Sequence, residues 1–142
     1  MRSSRRKARA LAFQVLFEVD CTHHDMESVL RHVLEDARLE PPLEDFVRKL
    51  TQGVRARQEE IDRLVHRFAP AWPVMQLAPV DRSILRIAIF EILFDNETPP
   101  KAAINEAVEM AKLFGSETSS KFVNGVLGSL MAEREKTTLV SA

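Results

Sequence analysis

The 142-residue chain has no tyrosine, one tryptophan, one cysteine and four glycines. A single cysteine, Cys21, excludes an intramolecular disulfide and suits a reducing compartment. Gly53, Gly115, Gly125 and Gly128 lack the spacing of a phosphate-cradling loop. No apolar stretch approaches the roughly 18 residues of a membrane span. The basic start has no apolar run behind it of the length a secretory signal needs. A cytoplasmic protein without membrane association is the expectation. Groupings for chemistry are scarce as well. Cys21, His23, His24 and Asp25 form one polar cluster, with no second cluster to complete a tetrahedral metal site. No Ser or Cys carries a signature of a base and an orienting partner. Glu106 and Glu109, three apart on a helical pattern, read as a solvated pair. No enzyme activity, metal or cofactor is expected.

Apolar residues are plentiful, at 45%, and recur at helical rather than alternating spacing. The fold class read from them is all-α, with six or seven helices. The first spans about residues 4–19, with Ala8, Leu11, Ala12, Val15, Leu16 and Val19 inward. Asp25 is a good N-cap for the second, which carries Met26, Val29, Leu30, Val33, Leu34 and Ala37 on one face. Pro41 and Pro42 open a long third pattern, through Phe46, Val47, Leu50 and Val54 to about Phe68, which Gly53 is expected to bend or split. Pro70, Pro73 and Pro79 mark residues 69–79 as a hinge, where Trp72 is expected to be packed. The pattern from Asp81 to Phe94 is apolar nearly all round and belongs in the middle of a bundle. Pro99 and Pro100 start the next helix, and Gly115 ends it. In the last helix Gly125 and Gly128 each cost about 1 kcal/mol of helix propensity, which predicts a close helix approach there. The tail from Thr137 is expected to fray. The domain reading is one unit over 1–142, with a lobe at about 4–68, the hinge, and a lobe at about 80–136.

Charge is unevenly placed. Residues 1–9 hold Arg2, Arg5, Arg6, Lys7 and Arg9 and no acid, leaving 15 basic against 21 acidic side chains elsewhere. A basic arm on an acidic body reads as a local anion-binding device. Nucleic acid is the first partner class it fits, with acidic protein and anionic lipid behind it. Arg2, Arg5, Arg6 and Arg9 share one helical face, and steps of four carry Arg5 and Arg9 on to Phe13 and Phe17. Guanidinium forks suit phosphates, and flat rings suit splayed bases, so single-stranded RNA fits better than duplex DNA. A solvated arm with core phenylalanines is the bland alternative.

Three segments together resemble the NusB family. They are Arg5–Phe17 (RRKARALAFQVLF), Val80–Glu91 (VDRSILRIAIFE), and Ala103–Gly115 (AINEAVEMAKLFG) continuing to Lys121–Leu127 (KFVNGVL). The resemblance covers about residues 4–132. It implies two perpendicular three-helix bundles and a non-enzymatic transcription antitermination factor. Such a factor binds the boxA element of ribosomal RNA transcripts with NusE, a small-subunit ribosomal protein, and helps RNA polymerase resist termination. The RNA-binding set it implies is Arg5, Arg6, Lys7, Arg9, Gln14, Phe17, Thr118, Lys121 and Phe122. Phe17 stands where the family often has Tyr, and Thr118 where some relatives carry Asp. Asp81, Arg82 and Arg86 are implied at the NusE contact. Two other readings stay open: a helical accessory domain of a ribosomal RNA cytosine methyltransferase, and an adaptor that binds protein only. The oligomeric state is also open, including a homodimer that covers the arginine face.

Overall fold

The computed structural model describes residues 2–95 and 97–141, with side chains described for 4–95 and 97–136. Arg2 therefore lies outside the described side chains. Among the described residues there are six α-helices, one 3-10 turn and no strand. The helices are α1 (Arg2–Thr22), α2 (Met26–Ala37), α3 (Pro41–Phe68), α4 (Pro79–Leu93), α5 (Pro100–Phe114) and α6 (Ser119–Ser141), with the 3-10 turn at Val74–Gln76. The chain divides into two compact units, Met1–Gln58 and Glu59–Ala142, and the boundary falls inside α3. The proline-rich residues 69–79 lie within the second unit. α3 runs unbroken past Gly53, because one glycine weakens a helix without ending it when its flanks are held by buried Leu50, Thr51 and Val54. α6 likewise continues to Ser141, past the expected fraying point.

In the first unit the periodic apolar residues meet as the spacing requires. Ala8, Ala12, Val15, Leu16 and Val19 of α1 are buried, as are Val29, Leu30, Val33 and Leu34 of α2, and the two helices pack together. Asp25 caps α2: its Oδ2 accepts the Ser28 N–H at 3.0 Å, satisfying one of the orphan donors of the first turn. α2 ends at Arg38, which donates its N–H to the Leu34 carbonyl and then turns the chain away with a left-handed φ of 50°. Phe46, Val47, Leu50 and Val54 of α3 complete the buried set.

α4 organises the second unit. Pro79 starts it with a pre-set φ, and every residue from Asp81 to Ile92 is buried, as its all-round apolar pattern requires. α4, α5 and α6 pack against one another. Fully burying side chains such as Ile84, Leu85, Ile87 and Ile89 stabilises the unit by about 1.5–3 kcal/mol each. Gly115 follows α5 in an extended conformation, so a left-handed turn is not its reason. Space is: an added Cβ would sit 2.4 Å from Ser119 Oγ and 2.8 Å from the Ala111 carbonyl oxygen. Gly125 and Gly128 overturn the expected helix approach. Nothing lies within 4 Å of a Cβ built at either position. No helix is long and apolar enough to cross a membrane among the described residues.

Candidate nucleic-acid interface

The arginines of α1 divide by depth. Arg6 and Lys7 are exposed, Arg5 is half-buried, and Arg9 is only 5% exposed. Burial of a guanidinium needs a compensating surface, and Phe46 of α3 supplies one. The Arg5 and Arg9 guanidinium carbons lie 4.6 and 5.2 Å from the Phe46 ring centroid, and the Lys49 ammonium lies 5.2 Å from it. Cations over a ring face are attracted by its quadrupole. Phe46 and Lys49 were not legible as part of this group. Periodicity marks Phe46 as core, which it is, but says nothing about which side chains cover its face.

Farther along α1, Phe13 and Phe17 stack with centroids 5.6 Å apart and planes at 27°. Phe13 is buried and belongs to the core, whereas Phe17 keeps an open edge. Gln14 is exposed, one helical repeat of seven from the exposed Lys7, so both project from one side of α1. Arg5, Arg6, Lys7, Gln14 and Phe17 thus form a run of cation, amide and ring in the first unit. Arg9 contributes its charge from beneath.

The remaining expected RNA residues lie in the second unit, at the start of α6. Thr118 and Lys121 are exposed and Phe122 is half-buried. The helix start is held by Ser119, whose Oγ accepts the Ser116 N–H at 2.9 Å. Thr118 and Phe122 line a cleft of about 400 Å³ with Trp72, Leu77 and Asp81. Trp72 corrects the expectation that it is packed: it is 60% exposed at this cleft. Asp81 is buried, and its Oδ1 has no hydrogen-bond partner in the structure.

Arg82 and Arg86 are each 4% exposed and are used inside the chain. Arg82 Nη1 donates to the carbonyls of Leu77 at 3.0 Å and Val74 at 3.2 Å, tying the 3-10 turn to α4. Arg86 makes a two-pronged ion pair with Asp62 of α3, Nε to Oδ1 at 2.8 Å and Nη2 to Oδ2 at 2.9 Å. Both arginines are thus held by partners within the second unit. Asp81 lines the cleft beside the start of α6. Cys21, His23, His24 and Asp25 are all exposed at the junction of α1 and α2. Among the described residues, no three His, Cys, Asp or Glu side chains are grouped to hold a metal ion.

A model of the NusB family matches residues 6–132. The transcription antitermination protein NusB of Roseiflexus sp. (strain RS-1) is 50% identical over 141 residues, spanning 96% of this chain and 99% of that protein. The structure of T. maritima NusB superposes with a TM-score of 0.85 at 35% identity, covering 91% of each chain. A crystal structure of the antitermination factors NusB and NusE in complex with double-stranded RNA superposes with a TM-score of 0.82 at 27% identity, covering 91% of this chain and 96% of that one. With these matches spanning both units, the chain belongs to the NusB family of transcription antitermination proteins.

Proposed function

We propose that this protein is a non-enzymatic RNA-binding factor of the bacterial cytoplasm that takes the boxA element of ribosomal RNA transcripts together with NusE, and so helps RNA polymerase resist termination. The observation that carries the reading is the α1 face, where Arg5, Arg6 and Lys7 are at least partly open beside Gln14 and Phe17. Cations at the positive end of a helix dipole are mildly unfavourable, and an RNA phosphate placed there offsets that cost. Arg5, Arg6, Lys7 and Arg9 bind the backbone, while Gln14 and Phe17 meet sugar or base. Thr118, Lys121 and Phe122 form the second contact set, with Phe122 and Trp72 as stacking surfaces. Open aromatic rings suit unstacked bases, which favours single-stranded RNA. The known complex of a NusB with NusE and double-stranded RNA supports both partner classes. A relative at 50% identity whose own length is 99% covered is itself an antitermination protein, which favours this reading over a methyltransferase accessory domain.

The test is binding of boxA single strand, a scrambled strand and the boxA duplex, with and without NusE, over a salt series. Four neutralised phosphates predict a log–log salt slope near about −3 for a single strand. The triple variant Arg5→Ala, Arg6→Ala, Arg9→Ala is expected to flatten it. Preference for boxA that grows with NusE supports the reading. Equal, weak binding of all three RNAs under every condition overturns it, and an unchanged slope in the triple variant removes the arm from the site.

A further inference from the structure

Lys49 lies on α3, outside the basic arm and outside the segments that carry the family resemblance, yet it shares a ring with that arm. Arg5, Arg9 and Lys49 approach Phe46 at 4.6, 5.2 and 5.2 Å, so any two of the three charges lie within about 10 Å of each other. The negative face of the Phe46 ring attracts all three cations and gathers them from two helices. Phe46 is itself only 4% exposed, so it is no stacking surface for a base; its role is to fix the cations. Arg9 is buried, whereas Arg5 and Lys49 are half-buried and still reach solvent. Each of the three makes further interactions in the chain, so the group is held in place before a ligand arrives.

We propose that Phe46 gathers Arg5, Arg9 and Lys49 into one anion seat, and that Lys49 is a further contact to an RNA backbone phosphate. Arg5 from α1 and Lys49 from α3 then contact the phosphodiester, with Arg9 adding its charge from beneath, which widens the binding face beyond the arm. The proposal rests on the RNA-binding reading above and adds a residue to it. A backbone phosphate carries no sequence information, so Lys49 raises affinity for boxA and for other single strands alike.

The experiment measures boxA single-strand binding by fluorescence anisotropy over a salt series for the wild type, Lys49→Gln, Lys49→Met and Lys49→Arg. Arg31→Gln serves as a control, an exposed cation on α2. Losing one phosphate contact is expected to lower the salt slope by about 0.7 and to weaken boxA and scrambled RNA by the same factor. Lys49→Arg keeps the slope. Inorganic phosphate at matched ionic strength competes weakly with RNA if the seat takes a phosphodiester within a strand, and strongly if the seat is built for free phosphate, which overturns the RNA assignment. Thermal melts verify that the variants fold, and the Gln and Met variants check each other. A wild-type slope in both of them, with a reduced slope in Arg6→Ala, overturns the Lys49 proposal and leaves the RNA reading standing. An equal loss of slope in Arg31→Gln reduces the effect to net charge and also overturns it. A wild-type chain that binds no RNA ends both readings.

Discussion

Asp62→Ala tests the internal assignment of Arg86 most directly. The Arg86 side chain is 5% exposed and that of Asp62 is 24% exposed, and two short hydrogen bonds join them. Removing one partner of a buried pair costs about 3–5 kcal/mol, because the remaining charge stays desolvated. Here a quarter of the Asp62 side chain reaches water, and Arg86 keeps a contact with Met75 Sδ at 4.0 Å. The expected loss therefore falls just below that range, at about 2–3 kcal/mol, or a drop of about 6–15 °C in Tm for a chain of this size. Arg86→Met is expected to cost less, about 1–2 kcal/mol, because the carboxylate left behind can turn to solvent. The double variant Asp62→Leu, Arg86→Met replaces the pair by apolar groups and is expected within about 1 kcal/mol of wild type. Urea unfolding followed by circular dichroism reads these values as shifts in midpoint at constant m. An Asp62→Ala stability within about 0.5 kcal/mol of wild type refutes the reasoning. So does a double variant whose loss equals that of the two single variants added together. The result also bears on partner mapping, since loss of NusE binding in an Arg86 variant would then report a weakened unit and not a lost contact.

Three other substitutions probe the same structure. Gly125→Ala and Gly128→Ala each face open space and are expected to stabilise the chain by about 0.5–1 kcal/mol, read as a higher urea midpoint. Gly115→Ala is expected to destabilise by about 1–3 kcal/mol, because the new Cβ would meet Ser119 Oγ and the Ala111 carbonyl. Equal effects at all three glycines would show that local propensity outweighs space. Trp72→Ala is expected to leave Tm nearly unchanged, since the ring is 60% exposed, and to weaken boxA RNA by about 1–3 kcal/mol, the usual worth of one stacked base. Unchanged RNA affinity measured by anisotropy removes Trp72 from the interface.

The sequence by itself determined the helices, because their signals are local. Asp25 three residues before the Ser28 N–H, prolines at the first turns of α3, α4 and α5, and apolar spacing along α1 and α2 act within a turn or two of the chain. The buried middle of α4 was legible for the same reason: a helix apolar on every side has no solvent face to offer. The arginine face of α1 was visible as a pattern, while Thr118, Lys121 and Phe122 came from likeness to a family and from no local rule. Only the tertiary structure decided what each polar or ambivalent residue does. Arg86 looks like a surface charge until Asp62, 24 positions earlier, is found beside it. Phe46 is core by period, but its cations come from two helices. Trp72 was expected inside because large rings usually bury, yet it stands at the rim of a cleft whose other residues lie up to 50 positions away. Gly125 and Gly128 suggested a close neighbour that is absent. Period, cap and proline rules describe the cost of ordering the nearby backbone, whereas burial, pairing and exposure depend on which distant side chains fill the space around a residue.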